Sequence, residues 1–212
     1  MRAYIITIQG LPQSVDVARR GYWSAVEFGV DISEVAAMTP RDDPRAIFQE
    51  RGWPTGKFDK NPFSRAEPCM ATFLSHSRLW AQCAEDGEPY LILEHDAVFR
   101  QPLPVLHLRE VDGCCNLGKP SFGNFRKPEP GLGPLVSKRY FPGAHAYYLT
   151  PSGADRLLAK CDEAEPTDIF LNRVRFPWLQ EFWPWPIVAD DSFTTIQRPR
   201  GCTSKHNAVE VI

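Results

Sequence analysis

Acidic residues at three places along the chain, together with a few histidines, have the types and spacing to do chemistry. Glu94 and Asp96 flank His95 directly after the unbroken apolar run Tyr90-Leu91-Ile92-Leu93. Polar residues that follow a buried strand sit at the edge of an open α/β sheet where ligands bind. Two carboxylates one residue apart there can present oxygens to a hard divalent cation, which can in turn hold the phosphates of a substrate. The plainer alternative is an acidic pair that caps the next turn in solvent. Asp168 can act as a general base toward a hydroxyl, or merely cap the helix it begins. Asp190-Asp191, preceded by apolar Ile187-Val188-Ala189, is a rival acidic site, and His206 in the polar tail could close over a metal. His76 stands next to Ser75 in a helical stretch. Adjacent residues on a helix do not face one another, so these two are no nucleophile pair, and a packed histidine is the first reading.

The elements that position these groups follow from hydrophobic periodicity. Residues 3–8 read as a first strand closed by Gly10 and Pro12, and residues 13–28 as a helix with Val15, Ala18, Tyr22 and Ala25 near one face. Residues 35–38 are a second short strand. Residues 39–68 are rich in turn and charged residues and read as an irregular excursion. Residues 71–86 are the strongest helix, with Phe73, Trp80 and Cys83 in one stripe and Gly87 as its stop. Residues 90–93 then read as a strand buried on both faces. A strand over 144–149 leads through Thr150-Pro151-Ser152-Gly153 into a helix ending near residue 161, and a further helix spans 168–175. The tail from Trp178 is expected to wrap over the sheet. Strands alternating with helices make this an α/β chain, expected as one domain over 1–212.

Composition narrows the function classes. With 212 residues, 43% hydrophobic and 24% charged, the chain has the makings of an ordinary packed core. Lys+Arg 24 against Asp+Glu 26 gives a net charge of -2, without the footprint of a general nucleic-acid binder. Twenty prolines and thirteen phenylalanines favour short elements joined by rigid loops over long helical bundles. No stretch is long and apolar enough to span a bilayer, and the apolar run at 3–8 is too short for a signal core. The six cysteines lack paired metal-binding spacing, and reduced thiols in a cytoplasmic protein are the expectation. The aromatic cluster Trp178, Phe182, Trp183 and Trp185 reads as core, with a sugar-stacking platform as the alternative. The basic residues Arg126, Lys127, Lys138 and Arg139 read as a solvated loop or one that closes over a diphosphate.

The stretch from Ala71 through Ser75-His76 to Trp80, followed by Pro89-Tyr90-Leu91-Ile92-Leu93-Glu94-His95-Asp96-Ala97, resembles glycosyltransferase family 25, the lipooligosaccharide and collagen galactosyltransferase type. In that family a Ser-His pair on a helix precedes an apolar strand ending in Glu-Asp-Asp. Other stretches agree in order: Tyr4-Ile5-Ile6, Ala36-Ala37, Asn116-Leu117-Gly118, Gly143-Ala144-His145-Ala146-Tyr147-Tyr148-Leu149 with Gly153-Ala154, and Pro166-Thr167-Asp168 for the family's Pro-Val-Asp. The chain departs from the family at His95, which removes one negative charge from the triplet, and upstream of Ser75, where the usual Gly-Glu-x-Gly-Cys is not matched.

The resemblance implies a GT-A-like (Rossmann-like) fold with a mixed, mostly parallel sheet flanked by helices, a donor-binding half over about 1–100 and an acceptor half over about 101–212. It implies a metal-dependent, inverting transfer of a hexose from a nucleotide-diphosphate sugar, UDP-hexose above all, with Mn2+ or Mg2+ as cofactor. The acceptor would be a hydroxyl on a glycan, a lipid-linked sugar, a protein or a modified base, with lipopolysaccharide biosynthesis as one setting. Asp96 corresponds to the metal-bridging acid, Glu94 to its partner, and Asp168 to the base. Ile6, Thr7, Ala37, Ser75, His76, Glu94 and His95 would contact the donor, with Asp190, Asp191 and His206 as further candidates. Three readings of His95 stand open: turned away into the sheet, ligand of a softer metal, or a mark of lost catalysis. A silent nucleotide-sugar or glycan binder is the alternative function, and a metal-dependent phosphodiesterase a third.

Overall fold

The computed structural model describes residues 1–121, 123–141, 143–190 and 193–198, together with the backbone of 207–208. In chain order the elements are β1 (Arg2–Thr7), α1 (Pro12–Val26), β2 (Ser33–Ala36), α2 (Pro44–Glu50), α3 (Gly56–Asp59), α4 (Ala66–Asp86), β3 (Tyr90–Glu94) and β4 (Ala97–Phe99). The second half supplies α5 (Val105–Leu108), β5 (Cys114–Asn116), β6 (Gly131–Pro134), β7 (Ala146–Leu149), α6 (Pro151–Leu158), α7 (Thr167–Phe170), β8 (Gln180–Trp183), β9 (Ile187–Ala189), β10 (Phe193–Thr194) and β11 (Asn207–Ala208).

Seven strands form a mixed sheet in the order β2-β1-β3-β7-β5-β8-β6. Parallel pairing joins β1 to β2 and β3, and β5 to β8; β7 and β6 run against the other strands. The expected mixed, mostly parallel sheet flanked by helices is therefore present. Strands of the first half, β2, β1 and β3, make one side of it, and β7, β5, β8 and β6 of the second half make the other.

Side chains on a strand alternate between faces, and β3 shows what this does. Tyr90 and Ile92 enter the core under α4 and α6 with Phe73, Trp80, Tyr147 and Leu149, while Leu91 and Leu93 enter the opposite core with Ile5, Ala18, Ala25 and Ala146 of the α1 side. All four β3 residues from Tyr90 to Leu93 are fully buried, as the unbroken apolar run requires. After Glu94 the chain turns and leaves the sheet as β4, which pairs antiparallel with β9 and packs against α1.

Several elements differ from their sequence expectations for local reasons. Helix α4 begins at Ala66 rather than 71, because Pro68 falls in the first turn, where a missing N–H costs nothing. The excursion over 39–68 holds two short helices, α2 and α3, packed on α4 through Phe48 and Phe58. The helix expected over 168–175 stops after one turn. Asn172 takes over there, its Nδ2 donating to the Ile169 carbonyl while its Oδ1 accepts from Val174 and Arg175 N–H, so the side chain redirects the backbone. The aromatic tail does not wrap over the sheet: Gln180–Trp183 is β8, an internal strand, and Ile187–Ala189 supports the turn beyond β3. No described helix is long and apolar enough to cross a membrane.

The α1 helix approaches β4 closely enough that a Cβ on Gly21 would lie 2.5 Å from the Ala97 carbonyl oxygen. Gly21→Ala therefore has to push α1 off the turn that carries Asp96. It is expected to cost about 1–3 kcal/mol, seen as a lower midpoint in denaturant titration. An unchanged midpoint would show that the contact is not tight.

Candidate functional site

The carboxyl edge of the sheet carries two connected cavities. The larger is about 480 Å³ and the smaller about 70 Å³; Thr72, Glu94, His95, Thr195 and Ile196 line both. The smaller sits over the ends of β1 and β2, with Ile6, Ala37, Ser75 and His76 in its walls. The larger gathers Glu94, His95 and Asp96 from the β3–β4 turn and Asp168 from α7. Residues separated by more than seventy positions thus face one space, as expected for ligand sites beyond parallel strand ends.

The turn is gripped from several sides. Glu94 N–H donates to the His145 carbonyl at 2.9 Å, extending the β3–β7 ladder, and Asp190 N–H donates to the Asp96 carbonyl at 2.7 Å. Ser14 at the start of α1 accepts from Ile8 N–H at 2.9 Å, and its hydroxyl lies 2.8 Å from His95 Nδ1. His95 is thereby tied to α1, its ring also packing on Phe193. The ring is held at a helix end and lines both cavities, so it is not turned into the sheet.

A buried relay sets the orientation of Glu94. Trp80 Nε1–H donates to the Tyr147 hydroxyl at 2.8 Å, and the Tyr147 hydroxyl sits 2.8 Å from His76 Nδ1. With the tyrosine oxygen already accepting from tryptophan, its own proton goes to His76 Nδ1, which leaves Nε2–H to donate to Glu94 Oε1 at 3.1 Å. Burial pushes the imidazole pKa of His76 down to about 3, so the donor to Glu94 is a neutral imidazole. Ser75 serves the neighbouring wall: it donates to the Ala71 carbonyl and accepts from Met38 N–H at 2.8 Å, fastening the side of the smaller cavity to α4.

Asp96 is only partly compensated. One carboxylate oxygen, Oδ1, is buried with no hydrogen-bond partner among the described residues. Burial first, and the charge of Glu94 second, push its pKa up to about 6. Asp168 is raised to about 6 as well, again chiefly by burial, although its Oδ1 accepts from Ile169 N–H at 2.9 Å. Among the described residues no three His, Cys, Asp or Glu side chains converge as a metal-holding group. A cation here would need ligands from a bound substrate or water beside Asp96 and its neighbours.

Some candidate side chains lie apart from these cavities. Thr7 is fully buried but absent from both cavity walls; strand alternation puts its side chain on the α1 face, opposite Ile6. Its backbone still contributes, its carbonyl accepting from Ala37 N–H at 2.8 Å. The Asp190 carboxylate turns away to Arg20 at 2.7 Å, so this residue braces the turn. The tail aromatics lie elsewhere too: Arg156 stacks on Trp178 and Lys127 on Trp183. Asp191 and His206 fall outside the described residues. Sequence reasoning assigned no role to His145, which lines the larger cavity. The signal was its place just before the apolar run 146–149, since the start of an antiparallel strand lies at the same sheet edge as the end of β3.

The raised carboxyl of Asp96 has a consequence for stability with a definite sign. Its folded pKa of about 6 lies above the ordinary value of 3.8, so the fold prefers the proton. Below about pH 4 both folded and unfolded chains hold it and nothing is lost; the cost grows toward about pH 6 and stays constant above. In metal-free protein, Asp96→Asn is therefore expected to raise the melting temperature at pH 8 and leave it unchanged near pH 4. Equal effects at both pH values would contradict the burial of this charge.

No family model and no curated protein matches the chain. Among solved structures, it is similar to a Bacillus anthracis protein assigned as a glucose-1-phosphate thymidylyltransferase, in complex with sucrose, at 11% identity over 85% of each chain with a TM-score of 0.41.

Proposed function

We propose that this protein transfers a hexose from a nucleotide-diphosphate sugar to an acceptor hydroxyl, with inversion at the anomeric carbon and with a divalent cation at Asp96. The observation that carries the reading is the meeting, in one cleft, of the carboxylates at the end of β3 with the carboxylate of α7. The resemblance of Ser75-His76, Leu91-Ile92-Leu93-Glu94-His95-Asp96 and Pro166-Thr167-Asp168 to glycosyltransferase family 25 supports it, and so does the adjoining cavity over β1 and β2, which Ile6, Ala37 and Met38 line.

In this reading the nucleoside sits against Ile6 and Ala37, with the wall at Met38 held by Ser75. Glu94, fixed by His76, accepts from a ribose hydroxyl or a bound water. The orphaned Asp96 oxygen is the cation ligand, and the cation, when bound, neutralises charge on the departing diphosphate. Asp168 takes the proton of the acceptor hydroxyl as its oxygen bonds to the anomeric carbon. The bond from that carbon to the diphosphate breaks, and its electron pair leaves with the nucleoside diphosphate. A base with a pKa near 6 is ionised at neutral pH yet still able to take a proton.

The test is donor turnover against pH with Mn2+ present. Activity is expected to rise through about pH 6 and level off above, because Asp168 must be ionised to accept the proton. Asp168→Asn is expected to lower kcat by about 10²–10⁴-fold while donor binding persists. Asp96→Ala with full metal-dependent turnover would overturn the assignment. Nucleotide-sugar binding without turnover across an acceptor panel would favour a silent binder.

A further inference from the structure

His145 is buried beside the acidic turn with its ring unsatisfied. It is 2% exposed, and neither ring nitrogen has a hydrogen-bond partner among the described residues. Leaving such a group unsatisfied is destabilising, so a native fold that keeps it calls for a reason.

The surroundings are shaped to hold the ring where it is. β7 lies between β3 and β5, so the residue just before it stands beside Glu94 on one side and Gly118 on the other. A Cβ on Gly118 would lie 2.4 Å from His145 Nε2, and one on Gly143, whose φ is +102°, would lie 3.0 Å from Nδ1. Two positions without side chains therefore make the slot for this imidazole. Gly143 lines the larger cavity with His145 and Asp96, and Asp96 Oδ1 is another buried atom there lacking a partner among the described residues. One ligand taking both an imidazole lone pair and a carboxylate oxygen gives a partner to one ring nitrogen and to Asp96 Oδ1 at once.

We propose that His145 is a nitrogen ligand of the divalent cation held by Asp96. The inference rests on the metal-dependent reading above and deepens it. A mixed nitrogen–oxygen set favours a transition ion such as Mn2+ over Mg2+ or Ca2+, which take oxygen ligands almost exclusively. The bound diphosphate and water would complete the shell.

Mn2+ added to the full chain with UDP can be read by pulsed electron paramagnetic resonance, where a directly bound imidazole nitrogen imprints its own modulation. Wild-type protein is expected to show it, His145→Gln to lose it, and His206→Gln to keep it. The His145→Gln protein is also expected to bind Mn2+ about tenfold or more weakly while its Mg2+ affinity changes much less. Should that variant fail to fold by its melting curve, Gly118→Ala keeps the histidine but crowds Nε2, and a reduced nitrogen modulation is expected there. Mn2+ bound to wild type without nitrogen modulation would overturn the role of His145 and leave the metal-dependent reading standing. Modulation that survives in folded His145→Gln overturns it as well. Absence of any Mn2+ binding overturns both.

Discussion

Negative charge confined at the end of a buried strand is the constraint on which the site depends. Four consecutive apolar residues put β3 in the middle of the sheet, and the next polar groups emerge where water is already scarce. Ionising a carboxylate there is expensive without a counter-charge, and among the described residues Asp96 makes no ion pair. Its neighbours are handled differently. Asp190 is neutralised by Arg20, and Glu94 receives the His76 proton donor. The fold thus supports one carboxylate, uses another for bracing, and leaves the third in want of a partner.

The supports around the turn explain why the sequence around it looks as it does. Trp80, Tyr147 and His76 are a core tryptophan, a strand tyrosine and a helix histidine, yet each hydrogen bond runs in a fixed direction. A relay of this kind orients a carboxylate without adding charge, because the imidazole stays neutral. Glycine is required at two places for a related reason: Gly21 lets α1 reach the backbone beyond Asp96, and Gly118 leaves room for the His145 ring.

Much of this was legible in the sequence, and the rest was hidden for physical reasons. The apolar run 90–93 and the stripe on α4 gave the central strand and its covering helix, and the strand-end rule gave Glu94 and Asp96. Asp168 could be named, but its short helix could not, because the side chain of Asn172 and not a run of helix formers decides where the chain turns. Strands β5, β8 and β9 have three or four residues each, too few for a periodic signal, and the aromatic residues around β8 suggested a tail. Thr7 was misplaced by a single step along β1, which is all that separates the two faces of a strand. The isolation of His145 depends on two glycines, one of them distant in sequence, and no local pattern announces it.

The most direct test is a crystal of the protein grown with UDP and Mn2+, with anomalous scattering recorded at the manganese edge. The account predicts a peak at bonding distance from the Asp96 carboxylate and next to the diphosphate, in the cleft that also holds Asp168. Ordered UDP in that cleft with no peak beside Asp96, or a peak elsewhere on the surface, would contradict it.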